Sequence, residues 1–118
     1  MKPPIAPWQV WWINLDPTVG REQAGRRPGV IVGSEDHCRF PIEMGIVVPL
    51  TTRDRRLPHH VRIDPGSSGL ERPSWALTDS VRAVSTLRFA GDRPVGVLSD
   101  RERNEVARWV HRMVAAAG

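Results

Sequence analysis

Lysine is all but missing from this chain, cysteine is nearly so, and nowhere does apolar character run for long. The single cysteine, Cys38, excludes an intrachain disulfide and fits a reducing compartment. It stands in no recognisable catalytic context and reads as inert. No C-x-x-C or H-E-x-x-H spacing occurs, so neither a metal site nor any other cofactor is expected. No segment approaches the roughly 20 apolar residues of a membrane span. Met1 to Pro7 lacks the apolar run of a signal peptide. A soluble, cytoplasmic protein with no membrane partner is the expectation.

What the chain has instead is arginine. Of 17 basic residues against 13 acidic ones, only Lys2 is lysine, and the formal net charge is +4. The guanidinium is a planar fork that grips a phosphate through two hydrogen bonds, where an ammonium is a point charge. A GC-rich coding sequence also favours arginine. It does not explain why the arginines gather in two loops.

At 118 residues the chain is one domain, residues 1–118, able to bury one core. Three prolines among the first seven residues mark a mobile lead-in over 1–7. Trp8 to Leu15 reads as a strand with Val10, Trp12 and Asn14 on one face and Trp11, Ile13 and Leu15 on the other. Residues 16–27 read as loop, and Pro28 to Gly33 as a second strand opened by a proline. Ser34 to Glu43 is polar and irregular. Gly45 to Leu50 is apolar enough for a central strand. Thr51 to Pro58 is a second arginine-rich loop. His60–Ile63, Trp75–Thr78, Val81–Val84 and Val95–Leu98 are short strands, with a single helical turn over Ser85–Leu87.

The one long helix comes last, over 99–117. Ser99 followed three residues on by Glu102 is a capping-box pattern, and Asp100 suits the positive end of the helix dipole. Val106, Val110, Met113, Val114 and Ala117 repeat at helical spacing as one apolar face. Many short strands and one terminal helix imply a mainly β domain, a strongly curved antiparallel sheet or small barrel.

Two loops could carry chemistry. The first runs through Arg21, Glu22, Gln23, Arg26 and Arg27. Ribonucleases that work without metal let the ribose 2′-hydroxyl attack the adjacent phosphorus. That step needs a proton acceptor, a donor for the leaving 5′-oxygen, and cationic donors for charge on the phosphoryl oxygens. Arg27 suits the last task, and Pro28 helps aim it by restricting its backbone to extended conformations. Glu22 is the nearest proton acceptor; water is the other. The bland alternative is a surface loop whose charges pair among themselves. The second loop is Thr51-Thr52-Arg53-Asp54-Arg55-Arg56. Thr51 sits where an apolar strand emerges, so its hydroxyl could bond a phosphate oxygen while arginines follow the backbone. It could equally satisfy local backbone groups, and Arg55 and Arg56 read as a solvated face.

Other residues weigh less. If His59 and His60 both lie on a strand they face opposite sides and cannot both serve one site, while His37 and His111 are isolated. The tryptophans Trp8, Trp11, Trp12 and Trp75 could stack on bases, but in a small barrel they read as core.

The string from Leu15 to Val32, with Asp16-Pro17 after the first strand, Gly20-x-Glu22-Gln23-x-Gly25 in the loop and Arg27-Pro28 opening the second strand, resembles the MazF/PemK family of toxin endoribonucleases. The resemblance extends from Trp8 to about Val114. It implies an SH3-like small barrel of the CcdB/PemK type that pairs as a homodimer. It also implies sequence-specific, metal-independent cleavage of single-stranded RNA by the toxin of a toxin–antitoxin pair, and a cognate acidic antitoxin as partner. Carried over residue by residue, it makes Arg27 and Thr51 the catalytic pair with Glu22 in support. Arg21, Gln23, Thr52, Arg53, Asp79 and Ser80 become the RNA-binding residues. Ser80 stands where relatives carry a glutamine, and a lone hydroxyl reads a base edge differently from an amide. Gly29 stands where relatives carry a small or branched apolar residue, and should loosen its strand slightly. Two rival readings are a gyrase-poisoning toxin of the related CcdB type, without catalysis, and a non-catalytic RNA-binding SH3-like module.

Overall fold

The computed structural model describes residues 4–14 and 25–117. Arg21, Glu22 and Gln23 therefore lie outside the described residues. In chain order the elements are β1 (Gln9–Asn14), β2 (Arg26–Ile31), α1 (Glu35–Arg39), β3 (Met44–Thr51), β4 (His60–Ile63), β5 (Ser74–Leu77), β6 (Arg82–Ser85), a single 3-10 turn (Thr86–Arg88), β7 (Gly96–Val97) and α2 (Asp100–Val114).

The apolar strand β3 is the spine. Along one edge it pairs with β2, Val30 opposite Val48. Along the other it pairs first with β6, Gly45 opposite Val84, and then with β5, Leu50 opposite Ala76 and Thr51 opposite Trp75. One strand serving two ladders along one edge must bend between them. Pro49, which has no N–H to give a ladder, sits in that stretch, opposite Gly29. Beyond β5 comes β4, beyond β2 comes β1, and beyond β1 comes β7. All the pairings are antiparallel, and the sheet curls into a half-barrel with α2 packed against it.

Alternation along the strands builds apolar clusters on both faces. Val10, Val30, Val48 and Leu50 join Val61, Ile63, Leu98 and Val106 in the larger one. Trp11, Ile13, Ile31, Val47, Val84 and Phe89 form the other. The face assignment expected for Val10 against Trp11 and Ile13 holds, with Trp12 partly buried against the larger cluster.

Helix α2 starts as the sequence predicts. The Ser99 hydroxyl accepts from Glu102 N, and the Glu102 carboxylate accepts from Ser99 N at 2.9 Å. That carboxylate, 2 % exposed, also accepts from Asp64 N at 2.7 Å, so the cap ties the helix to the end of β4. The apolar face is only half used. Val106 is fully buried and Val110 packs on the core, but Met113 and Val114 are exposed. The helix ends at Val114 with Ala115 as its C-cap, so Ala117, expected on the apolar face of a helix over 99–117, lies beyond it.

Two expectations need correction. The lead-in is pinned from Ile5 onward: Ile5 packs on the smaller cluster, and Trp8 N donates to Ile31 O at 2.7 Å while Trp8 O accepts from Leu98 N at 3.0 Å. These bonds hold Trp8 at φ +71°, a conformation a bulky residue seldom adopts. The segment 34–43 is not wholly irregular, since Ser34 caps α1 by accepting from His37 N at 3.1 Å. At Gly29 a Cβ would come within 2.7 Å of Ile13 Cδ1. Its missing side chain is the space that the Ile13 methyl occupies.

Candidate functional site

Arginine and threonine meet in one cleft of about 760 Å³. On one wall β2 contributes Arg26, Arg27 and Pro28; beside it β1 contributes Trp12, which pairs with Pro28. The end of β3 and the loop after it supply Leu50, Thr51, Thr52, Arg53 and Arg55. The far wall comes from the segment before β5: Gly69, Leu70, Glu71, Arg72 and Ser74. Five arginines thus face one glutamate among the described lining residues, and a groove so charged suits a chain of phosphates.

Local chemistry fixes the pieces. Arg27 sits opposite Ile13 in the β1–β2 ladder, so a strand rather than a loop carries it, with Pro28 behind it. Thr51 is the last residue of β3, opposite Trp75. Its Oγ1 accepts from Arg53 N at 3.2 Å, which turns the chain into the loop. Accepting leaves the hydroxyl proton to be donated, so the local role and the phosphate-binding role coexist. Gly69 takes φ +77° and lies so close to Val95 that a Cβ would clash with that residue's carbonyl. Only glycine lets the far wall seat against the start of β7, where Val97 N donates to Ser67 O at 2.9 Å.

The sequence-predicted residues divide. Arg27, Thr51, Thr52 and Arg53 come together in the cleft. Asp79 and Ser80 do not line it; they lie in the turn after β5, where Ser80 N donates to Leu77 O at 2.9 Å. Arg55, expected as a solvated arginine, lines the cleft, whereas Arg56 does not. Sequence reasoning missed Glu71 and Arg72 altogether. A signal existed: Arg72-Pro73 just before β5 repeats the Arg27-Pro28 arrangement of β2. Trp12 was read as core. It packs on the core from one side and faces the cleft from the other, while Trp11 is wholly buried. Trp75 is half-buried under the Arg62 guanidinium, 5.7 Å from the ring centroid.

The histidines overturn an expectation. His59 lies in the turn before β4 rather than on the strand, so the opposite-faces rule does not apply to it. The rings of His59 and His60 stand edge to face, 4.6 Å between centroids, and His59 Nε2 is 3.3 Å from Asp79 Oδ2. Burial, and then the neighbouring His59 ring, hold the His60 imidazole below its ordinary value. Cys38 is pushed up, by burial first and the Glu35 carboxylate second, which agrees with an inert thiol.

Residues 6–114 match the model of the PemK-like, MazF-like toxin of type II toxin–antitoxin systems. The chain belongs to this family. It is 38 % identical over 91 residues to the endoribonuclease toxin MazF of Escherichia coli, covering 77 % of each chain. It is 32 % identical over 81 residues to the endoribonuclease EndoA of Bacillus subtilis, covering 68 % of this chain and 70 % of the relative. In fold it is similar to a mycobacterial endoribonuclease solved in complex with its cognate antitoxin, with TM-score 0.72 and 17 % identity over 94 % of this chain and 93 % of that one. The half-barrel with its terminal helix is thus the CcdB/PemK-type fold that the resemblance implied.

Proposed function

We propose that the cleft is the active site of a sequence-specific, metal-independent endoribonuclease, the toxin of a type II toxin–antitoxin pair, acting in the cytoplasm on single-stranded RNA. The observation that carries the proposal is the meeting of Arg27 and Thr51 in one arginine-lined cleft, in a chain whose family is that of MazF-like toxins. No helix among the described residues is long and apolar enough to cross a membrane.

Arg27 clamps the scissile phosphate and stabilises charge on its oxygens as the 2′-hydroxyl gives its proton to the base and attacks phosphorus. The P–O5′ bond breaks, and the departing 5′-oxygen takes a proton from the protonated base or from water. Thr51 donates its hydroxyl proton to a phosphoryl oxygen. A guanidinium hardly ever gives up its proton in proteins, so the base is sought elsewhere. Glu22 is the acceptor the family resemblance supports. Glu71 is the carboxylate among the described lining residues, and water is the third choice. Trp12 offers its ring to an unpaired base, Thr52 and Arg53 line the strand's path, and Arg21 and Gln23 are RNA-binding residues that the family resemblance adds. Asp79 and Ser80 would meet the RNA beyond the cleft, in the turn after β5, where Ser80 in place of glutamine alters which base is favoured.

A relative's structure holds its cognate antitoxin. Here an acidic antitoxin segment would occupy the same arginine groove, because it offers the same donors negative charge. Pairing into a homodimer is supported by apolar side chains left outside the core, Leu87 at 69 % and Val114 at 58 % exposure among them. The test is cleavage of a defined single-stranded RNA by the purified chain, with Thr51→Val and Arg27→Ala as controls. Cleavage lost in both variants supports the proposal. RNA bound but never cut would favour the non-catalytic module, and trapping of gyrase with RNA untouched would favour the CcdB-like reading.

A further inference from the structure

Outside the cleft, the structure brings two imidazoles and a carboxylate together at the far end of the β4–β5 ladder. His60 opens β4 opposite Leu77, so the turn holding His59 and the turn holding Asp79 are neighbours. Both turns are fixed from within. Thr78 Oγ1 donates to His59 O at 2.6 Å, His60 N donates to Leu57 O at 3.0 Å, and Ser80 N donates to Leu77 O at 2.9 Å. One donor atom from each of His59, His60 and Asp79 lies within 4.8 Å of the other two. His60 Nδ1 is buried with no hydrogen-bond partner among the described residues.

We propose that His59, His60 and Asp79 bind a divalent transition-metal ion of the zinc, cobalt or nickel type. Bond lengths of about 2.0–2.1 Å place the donors of a tetrahedral zinc site roughly 3.3 Å apart. The His59 Nε2 and Asp79 Oδ2 atoms already stand at that spacing, 3.3 Å. The third donor closes the remaining gap by turning an imidazole in place. Two ring nitrogens and one carboxylate suit zinc, cobalt and nickel; magnesium prefers an octahedral shell of oxygens and keeps most of its water. The Asp79 side chain is half exposed, which leaves a path for the ion and room for water to complete its shell. None of the three residues lines the arginine cleft, so this ion takes no part in the cleavage chemistry proposed above. The plain alternative is a His59–Asp79 ion pair that joins two turns and binds nothing.

The two readings separate in a titration of the full-length chain, without a histidine tag and stripped with chelator. Zinc is followed by calorimetry, and nickel by quenching of tryptophan fluorescence, since the Trp109 ring lies 6.4 Å from that of His59. The expected result is one equivalent bound per chain with micromolar or tighter affinity. The His59→Gln, His60→Gln and Asp79→Asn variants should each weaken it by at least about tenfold, in line with losses seen at metal sites. His111→Gln should bind as the parent does. Zinc should also raise the thermal midpoint of the parent and not of Asp79→Asn, an exposed position whose change leaves the core untouched. No saturable binding in the parent, or binding equal in the parent and Asp79→Asn, overturns the site.

Discussion

The arginines of the α2–β4 joint and those of the cleft are one residue type put to opposite uses. At the joint, charge closes on itself. Arg101 reaches Asp64 and Glu105, Arg62 reaches Asp64 at 2.7 Å, and Arg103 reaches Asp100 at 2.6 Å. Buried Glu102 beneath them accepts from two backbone N–H groups. In the cleft, no ion pair among the described residues involves the side chains of Arg26, Arg53, Arg55 or Arg72, although one carboxylate, Glu71, shares their walls. The lesson is that arginine content alone says little. What marks the site is cation density that no ion pair among the described residues neutralises at Arg26, Arg53, Arg55 and Arg72.

Breaking the cleft should give the largest effect. Arg27→Lys keeps the charge and loses the fork, so cleavage should fall on the order of 10²-fold or more, as when a transition-state donor is removed, with the thermal midpoint unchanged. Single-turnover cleavage beside a melting curve checks both halves. Near-native turnover would remove Arg27 from the clamp role.

Breaking the joint should do the reverse. Glu102→Ala leaves the Asp64 and Ser99 N–H groups without their acceptor and removes the return half of the capping box, while the Ser99 hydroxyl still caps the helix, a loss of about 2–3 kcal/mol. Denaturant unfolding should register it, while cleavage per folded molecule stays as in the parent. A drop in cleavage with stability intact would show that the two regions are not separable.

Next in size is charge reversal at the rim. Arg53→Glu should weaken RNA and an acidic antitoxin peptide together. It should also flatten the salt dependence of RNA affinity by about 0.7 in log–log slope for each phosphate no longer neutralised. If only one ligand is affected, the two do not share the groove.

The smallest effect sharpens the contrast from the other side. The hydrogen bond from Arg62, aided by the nearby Arg62 and Arg101 charges, holds the Asp64 carboxyl below its ordinary value of 3.8. That contribution is present above the unfolded value and is lost as pH falls through the lower folded one. Arg62→Gln should therefore slightly reduce the stability lost between about pH 5 and pH 2, and leave cleavage at neutral pH untouched.

Much of this was legible in the sequence where period and capping agree. His60–Ile63 came out residue for residue, β3 within a residue at each end, and α2 with its Ser99–Glu102 box intact. The pairing of Arg27 with Thr51 came from the family resemblance, not from the residue pattern alone, and the cleft brings the two together. Where the sequence misled, tertiary packing decides. The helix α1 is one capped turn, too short to show a period. The opposite-faces argument for His59 and His60 holds only if both lie on a strand; His59 lies in the turn before β4, and there the two rings meet edge to face. The far wall of the cleft was hidden because Leu70, Glu71 and Arg72 follow a turn-rich stretch, and only the close seating of Gly69 against Val95 brings them across from Thr51.

The central claim is that this cleft directs the RNA's own 2′-hydroxyl onto phosphorus without a metal. The most direct test offers the purified chain, in excess chelator, a single-stranded RNA and the same strand with one 2′-deoxy nucleotide at the cleaved position. The account predicts that the RNA is cut to a 2′,3′-cyclic phosphate end and that the deoxy strand survives. Cleavage of the deoxy strand, or activity lost in chelator and restored by magnesium, would contradict it.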